Sequence, residues 1–402
     1  MASSSALAFR RSPHVISFWQ DGRLVVFNYA TGVSAQGTAL AVEVLDELSE
    51  WRTWTELSVS RSSEERKLLR RLVDLMVKRT FLTRSTDKPR KIDGELSRWG
   101  TWNPVAGFFH RATRDVDFGS TRSDQIAVSC EKALVQPVPS PLKPAGRGGV
   151  ALPRARLDGD VPSTLLARRT WRRFGTRPVA LADLATLLQL TWGVQGWLEV
   201  PNLGRFALKT SPSGGARHSI EVYVLARKVD GLQRGLHHYN PDTHRLVPVG
   251  GSGPRHASDY LPGQEWYDDA GAVMLMTAVF ERVQWRYPYA RAYRAVMAEA
   301  GHLCQTFCLV ATWLGLAPFC TMALADSRIE RDLKIDGVSE SVIYAAGVGS
   351  RPKGVEWAPW PGTTETPAVS PPAHKAVRHY PDAAILTRGR DRGRRIRPTD
   401  KS

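Results

Sequence analysis

The stretch SPSGGARHSIEVYVLA, residues 211–226, decides how the rest of the chain is interpreted. Its first half is a turn in which Gly214 and Gly215 let the backbone approach a flat ligand closely. Ser213 and Arg217 add hydrogen-bond donors suited to a ring with carbonyl and anionic edges. The second half, 219–226, is rich in β-branched and apolar residues and predicts a strand. A plain turn before a strand explains this stretch equally well, so the choice between the two interpretations depends on the neighbouring segments.

Regular structure is predicted on both sides of the turn. Apolar residues at helical spacing predict a helix over 181–190 and a long buried helix over 290–314. Residues 272–279 have the apolar character of a buried strand, and 231–241 are typical of a hairpin between strands. Because helices and strands alternate, the expected class is α+β.

A basic segment, RRTWRRF, occupies residues 168–174, just before the first of these helices. Guanidinium groups bind phosphate bidentately, and a threonine hydroxyl can add a further donor. The segment is therefore a candidate phosphate site with Arg168, Thr170 and Arg172 as donors. Taken alone, it is better explained as a solvated basic face.

Five segments occur together in one order: ARRTWRRF (167–174), SPSGGARHSIEVYVLA (211–226), GLHHYNPDTHRL (235–246), RAYRAVMAEAGHLCQTFCLVATWLGL (291–316) and SVIYAAGVGSRP (341–352). In this order and spacing they resemble the nitroreductase superfamily. Within it, they are most similar to the SagB-type dehydrogenases that form thiazoles and oxazoles in peptides. The resemblance covers about half the chain. It implies a central mixed or antiparallel sheet flanked by helices, over residues 161–354.

The resemblance also implies a cofactor, flavin mononucleotide (FMN), and a set of residues around it. Its phosphate is expected at the first and last motifs, which here supply Arg168, Thr170, Arg172, Gly349 and Arg351. The isoalloxazine ring is expected along the turn and the long helix, which supply Pro212, Ser213, Gly214, Gly215, Arg217 and Gln305. In such proteins the site forms at a homodimer interface, so a homodimer is expected.

The resemblance suggests chemistry but departs from the family at one position. Azoline oxidation removes a proton from one ring carbon and a hydride from its neighbour, so a base is needed. Peptide dehydrogenases of this type carry a Lys-Tyr pair before the long helix, and Arg286 stands here in place of the lysine. A guanidinium stays protonated and cannot be the base, although it can stabilise a developing anion. Tyr287 is therefore the leading catalytic candidate and Tyr289 the second, unless both only line the site.

Three functions stay open on this basis. The first is an FMN-dependent oxidoreductase that oxidises azoline rings, or a related bond, in a ribosomally made peptide. The second is a small-molecule flavin reductase that uses NAD(P)H. The third is an inactive flavin-fold scaffold in a peptide-modifying complex. A precursor peptide and cyclodehydratase proteins are the partners expected for the first and third.

The N-terminal residues, 1–98, predict a small winged-helix-like α/β module. Two β-rich runs joined by Asp21-Gly22 are typical of a hairpin, and helices are expected over 38–48 and 64–82. The apolar stripe of the second helix is expected to comprise Leu68, Leu69, Leu72, Leu75 and Met76. The pattern resembles domains that bind the leader segment of a precursor peptide at a sheet edge. A packing or dimerisation domain is an equal alternative, and acidic residues among the basic ones disfavour DNA binding.

The remaining segments are expected to be an ordered arm, a linker and an irregular tail. An aromatic arm and a linker dense in proline and glycine are expected over 99–160, and an irregular basic tail over 355–402. The formal net charge of +16 arises partly in that tail. No run of about 18 apolar residues occurs, and the N-terminus lacks the order of a secretory signal, so a soluble cytoplasmic protein is expected.

Histidines and cysteines provide no metal site in this interpretation. His237 and His238 are adjacent on a strand and point to opposite faces. Cys304 and Cys308 share a helix face but are expected to pack as small apolar groups, and His302 is expected to make structural hydrogen bonds. Four cysteines in 402 residues form neither a disulfide framework nor a zinc-ribbon spacing.

Overall fold

The structure, a computed structural model, describes residues 7–116, 130–135, 157–201, 203–251 and 253–354. The basic tail and most of the expected linker lie outside these residues. A helix begins at Asp160, the last residue of the expected linker. Pro162 is compatible with that helix because it lies in the first turn, where a missing N–H removes no helical hydrogen bond.

The N-terminal module contains two three-stranded antiparallel sheets and several helices. The first sheet has the order β5-β1-β6 and the second the order β2-β3-β4. The strands are β1 (Ala8–Arg11), β2 (Val15–Gln20), β3 (Arg23–Asn28), β4 (Val33–Gln36), β5 (Arg52–Thr53) and β6 (Leu82–Arg84). The helices are α1 (Ala39–Glu47), α2 (Trp54–Ser58), α3 (Ser63–Lys78), α4 (Lys91–Ser97) and α5 (Val105–Ala112). Asp21 and Gly22 have φ values of 49° and 72°, as a tight hairpin between β2 and β3 requires.

The apolar stripe predicted on α3 is only partly correct. Leu69 and Met76 are buried, together with Val73, which the prediction missed. Leu68 and Leu75 are 57% and 51% exposed. Successive positions on an α-helix turn by roughly 100°, so the three buried residues at 69, 73 and 76 already fill the face toward the core that they share with Phe9 and Val44. Leu68 and Leu75 fall outside this face, and the sequence alone did not distinguish them.

The larger domain is built on one six-stranded sheet of order β11-β10-β9-β12-β14-β13, in which all neighbouring strands are antiparallel. Its strands are β9 (Ile220–Ala226), β10 (Gly235–Asn240), β11 (Arg245–Pro248), β12 (Ala272–Val279), β13 (Leu316–Thr321) and β14 (Glu340–Ser350). A separate hairpin comprises β7 (Gly196–Val200) and β8 (Gly204–Leu208). The helices are α6 (130–135), α7 (Asp160–Ala167), α8 (Leu181–Trp192), α9 (Phe280–Gln284), α10 (Tyr293–Trp313) and α11 (Asp326–Leu333). The α+β class is confirmed.

The long helix α10 lies across one face of this sheet. Its buried residues, among them Val296, Phe307 and Ala311, pack with α8 and with the inward side chains of β9, β12 and β14. The opposite face of the sheet packs on Phe319 and on Ile329 and Leu333 of α11. The helix begins three residues later than predicted, because residues 290–292 form a 3₁₀ turn.

Residues 99–112 connect the two parts of the molecule. Trp99 donates to the carbonyl of Val338 at 3.1 Å, and Trp102 donates to the carbonyl of Tyr287 at 3.1 Å. Both indoles are almost fully buried. The aromatic segment is therefore packed into the larger domain, directly beside the first turn of α10. Among the described helices, none is both long and apolar enough to cross a membrane.

Candidate active site

The turn at residues 211–218 is held by a single buried carboxylate on α10. Glu299 is 3% exposed, and its Oε2 accepts hydrogen bonds from the hydroxyls of Ser213 at 2.7 Å and Ser219 at 3.0 Å. Its Oε1 accepts from the backbone N–H of Ile220 at 3.3 Å. A buried carboxylate needs such donors, because an unpaired charge in the interior is costly. Ser213 is thus committed to Glu299 and also accepts from the N–H of His218.

Two further residues of α10 hold the start of the turn. The hydroxyls of Ser211 and Thr306 are 2.7 Å apart, and Nδ1 of His302 lies 3.3 Å from the carbonyl oxygen of Pro212. The structural hydrogen bond expected of His302 is therefore present. Because these contacts and that of Glu299 come from one face of one helix, the turn is fixed before any ligand binds.

Arg286 and Tyr287 pack against the middle of this turn. Gly215 has a φ of 62°, and a Cβ there would lie 2.5 Å from Cδ of Arg286 and 2.8 Å from the hydroxyl of Tyr287. A side chain at this position would therefore be strained and would displace both residues. The structure thus brings two of the three predicted catalytic residues to the predicted glycine turn.

The three catalytic candidates differ in their surroundings. Nε of Arg286 donates to the hydroxyl of Tyr287 at 3.3 Å, and the ring of Tyr287 is half-buried. Tyr289 is 52% exposed, with its ring centroid 6.0 Å from that of Tyr287. The backbone here is fixed from the aromatic segment, because Thr101 donates to the carbonyl of Pro288 and Trp102 to that of Tyr287. Tyr287 is therefore the better positioned of the two phenols.

Arg217 is occupied within the chain. Its guanidinium lies over the rings of Phe206 and Trp285, at 5.3 and 4.8 Å from their centroids. Its Nε donates to the carbonyl of Arg282 at 3.2 Å. These contacts give Arg217 a structural role in joining the β7–β8 hairpin to α9.

The basic segment lies at the edge of the sheet. The N–H of Trp171 donates to the carbonyl of Pro318 on β13 at 2.9 Å, and Nη1 of Arg168 donates to the hydroxyl of Thr170 at 3.4 Å. Arg168 and Arg172 are half-buried. Three of the expected phosphate donors are therefore placed together on one short segment.

The closing motif also has internal roles. Arg351 donates from Nε to the carbonyl of Leu316 at 3.0 Å and from Nη2 to that of Thr312 at 3.2 Å. The first carbonyl is at the start of β13 and the second is in the last turn of α10, where the helix dipole favours a positive charge. A Cβ on Gly349 would lie 2.6 Å from the ring of Phe174. Gly349 thus makes room for Phe174 of the basic segment.

One chain does not bring all the cofactor candidates to one side of α10. The turn contacts Ala295, Glu299, His302 and Thr306, which share a face. Cys304, Cys308 and Thr312, which lie toward β13 and Arg351, are close to 180° away at roughly 100° per residue. Between these faces runs an exposed strip that comprises Arg294, Ala298, Gly301, His302 and Gln305. Gln305 is therefore on the surface of a single chain.

Two residues at this site were missed by the sequence analysis. Glu299 was a detectable signal, because it is an acidic residue inside an otherwise apolar helix. Cys320 was not, since its proximity to Cys304 and Cys308 arises from packing of β13 on α10. Hydrogen bonds from these two thiols hold the pKa of the Cys320 thiol well below its ordinary value.

The larger domain thus has an α+β architecture. One long helix covers an antiparallel sheet, and a buried turn and a basic segment lie beside that helix. Residues 165–350 match the model of the nitroreductase family. The chain is 31% identical over 172 residues to a nitroreductase-like protein of Methanocaldococcus jannaschii, an alignment that covers 42% of this chain and 82% of that protein. The chain belongs to the nitroreductase family, whose members are generally flavin oxidoreductases.

Two further relatives are processing proteins for trifolitoxin and for microcin B17. The trifolitoxin-processing protein TfxB of Rhizobium leguminosarum bv. trifolii is 34% identical over 35% of this chain and 39% of its own length. The microcin B17-processing protein McbC of Escherichia coli is 29% identical over 31% of this chain and 48% of its own length. The chain thus spans less than half of each of these two relatives.

Proposed function

We propose that this protein is an FMN-dependent oxidoreductase that oxidises an azoline ring, or a related bond, in a ribosomally made peptide. The observation that carries the proposal is the contact of Arg286 and Tyr287 with the Gly215 turn, which places a phenol and a fixed positive charge beside the expected ring site. The similarity to two peptide-processing proteins supports a peptide as substrate.

The donors of the basic segment fit a flavin phosphate. Arg168, Thr170 and Arg172 provide two guanidinium groups and a hydroxyl on one segment, the donor types that bind a phosphate dianion. Arg351 is bound to backbone carbonyls and supports this end through its position over the ring of Trp171, at 5.6 Å. When bound, the flavin supplies a hydride acceptor.

The protein's own part in the reaction is to remove a proton. We assign this to the oxygen of Tyr287 in its phenolate form, which takes the proton and becomes the neutral phenol, with the nearby Nε of Arg286 donating to the negatively charged oxygen before the transfer. Arg286 stays protonated throughout and so cannot be the base. Trp102 holds the backbone of Tyr287, which keeps the phenol in place without a flexible loop. Tyr289, more exposed, is the second candidate.

A second copy of the chain would complete the site. The turn and the basic segment lie on different sides of α10, so a flavin that touches both sets needs the α10 of another copy packed against the exposed strip. We therefore propose a homodimer in which Gln305 of each copy faces the site.

We further propose that the N-terminal module binds the leader segment of the precursor peptide and that cyclodehydratase proteins are partners. The absence of measurable affinity for a leader segment would count against the module's role.

The absorbance spectrum of the purified protein, with mass identification of any ligand released on denaturation, is the first test. Release of FMN supports the oxidoreductase, whereas a colourless protein that takes up no added flavin indicates the scaffold. The flavin-loaded protein is then mixed anaerobically with a thiazoline-containing peptide or with NAD(P)H. Bleaching by the peptide supports the proposal, and bleaching by NAD(P)H alone indicates a small-molecule reductase, a function that the nitroreductase-like relative of Methanocaldococcus jannaschii also favours.

Substitution Tyr287→Phe tests the assignment of the base. We expect the rate of flavin reduction by the peptide to fall by about 10²- to 10⁴-fold, the usual contribution of a positioned acid or base, with flavin binding unchanged. Tyr289→Phe is the matched control and should lower the rate far less. The reverse result would move the base to Tyr289.

A further inference from the structure

Three cysteines from distant parts of the sequence meet on the sheet side of α10. The Sγ atoms of Cys304, Cys308 and Cys320 all lie within 4.8 Å of one another. The helix supplies two of them one turn apart, and β13 supplies the third. Cys304 and Cys308 are buried, whereas Cys320 is half-buried. The sequence led us to expect simple apolar packing for the first two and gave no indication of the third.

Two further polar groups adjoin these thiols. The hydroxyl of Tyr344 on β14 is close enough to Cys304 and Cys320 to interact with them electrostatically. Arg168 is close enough to Cys320 to act on it electrostatically. Tyr344 and Cys320 are both only half-buried, so the cluster is open to solvent on that side. The cluster therefore provides three thiol groups that can bind a soft metal ion, a hydroxyl group beside them, and access for the ion from solvent.

We propose that Cys304, Cys308 and Cys320 form a binding site for one thiophilic d¹⁰ cation of the Zn²⁺ type, with the Tyr344 hydroxyl beside the fourth ligand position. This inference does not depend on the proposed function. Zinc lies about 2.3 Å from thiolate sulfur, which in a tetrahedron places sulfur atoms about 3.8 Å apart. Each pair of Sγ atoms has to close by about 1 Å or less, within the reach of side-chain rotation.

Charge also favours a cation at this position. As the metal binds, every cysteine that is still protonated loses its proton to solvent, and the three thiolates then carry three negative charges in a largely buried site. A dication and the positive charge of Arg168 balance them.

Cadmium titration of the reduced, chelator-treated, full-length protein tests the proposal. We expect an ultraviolet sulfur-to-cadmium charge-transfer band that saturates at one equivalent and is displaced by Zn²⁺. Cys320→Ser should abolish the band or weaken binding by at least about tenfold. Cys130→Ser is the matched control, because Cys130 is exposed and distant in sequence from the cluster, and it should leave the titration unchanged.

Alkylation of the unsubstituted protein provides a second measurement that requires no variant to fold. Zn²⁺ should protect Cys304, Cys308 and Cys320 from alkylation, as measured by peptide mass spectrometry, and leave Cys130 reactive. Equal alkylation of the cluster with and without Zn²⁺, or a cadmium band that survives Cys320→Ser, would overturn the proposal.

Discussion

The two sides of α10 hold their neighbours by different means. On one side, the carboxylate of Glu299 accepts three hydrogen bonds and fixes the turn at 211–220 from within. On the other side, the helix meets β13 through thiols, and its end is capped by Arg351. The turn is therefore rigid and its side chains are already committed, whereas the basic segment beside β13 presents arginines at an edge. We infer that the turn determines the shape of the ligand-binding site, whereas the basic segment supplies its positive charge.

Removing the charge of the basic segment should have the largest effect. We expect Arg168→Ala with Arg172→Ala to weaken FMN binding by about 10²- to 10⁴-fold, since each charge-assisted hydrogen bond contributes about 1.5–3 kcal/mol. Fluorescence titration of flavin-free protein measures the affinity, and circular dichroism should show an intact fold. Arg173→Ala, at an exposed position, is the control. Full flavin occupancy in the double variant would refute the phosphate assignment.

Disturbing the turn side should cost stability as well as binding. We expect Glu299→Gln to lower the free energy of unfolding by about 2 kcal/mol, because hydrogen bonds to a charged acceptor are replaced by weaker ones to an amide. Urea unfolding measures this loss, and hydrogen exchange should speed up at residues 213–220. The exposed Glu281→Gln is the control. Unchanged exchange at the turn would show that Glu299 does not hold it.

The strip between the two sides can be tested without disturbing either of them. A Cβ on Gly301 would meet no atom within 4 Å in a single chain, so Gly301→Leu should leave the isolated fold intact. In the proposed homodimer the added side chain should overpack the interface and weaken association by about 1–3 kcal/mol. Analytical ultracentrifugation over a range of concentrations measures this change. A variant that dimerises as tightly as the unsubstituted protein would place the second copy elsewhere.

A buried histidine, His110, joins the aromatic segment to the first turn of α10, and its contribution to stability depends on pH. Nδ1 of His110 lies 2.9 Å from the hydroxyl of Tyr293, and Nε2 lies 3.0 Å from the carbonyl oxygen of Gly337. Complete burial lowers the pKa of His110 to about 3, from 6.5. Between these two values the unfolded chain binds a proton that the folded chain does not, so stability falls as the pH falls below 6.5.

The contribution of His110 to the free energy of unfolding, per pH unit, is smaller than the effects predicted above, but it is simple to measure. The slope of unfolding free energy against pH should include up to about 1.4 kcal/mol per pH unit from His110 between pH 6 and 4. His110→Gln should flatten the slope by that amount. His256→Gln, at an exposed imidazole, should not. Equal slopes for the unsubstituted protein and His110→Gln would mean that His110 is protonated in the folded state.

Local patterns predicted the elements of this fold well where one face of an element is buried. The strands β9 and β12 and the helix α10 were expected within a few residues of their observed positions. The stripe of α3 was less accurate, because neighbouring leucines at 68 and 69 fit a helical period almost equally and only packing selects one. The glycine turn and the Arg286–Tyr287 pair were predicted as separate features, and their contact came from the fold.

By itself, the sequence determined the α+β class, the family and the types of residue available to a flavin, because periodicity, glycine positions and ordered motifs are local properties of the chain. The tertiary structure decided which contacts those residues make within the chain. Ser213, Arg217 and Arg351 are engaged by Glu299, by two aromatic rings and by the end of α10. Cys320 on β13 lies beside Cys304 and Cys308 of α10, the helix that precedes this strand. Such contacts depend on how helices and strands pack across the sheet, which local patterns do not encode.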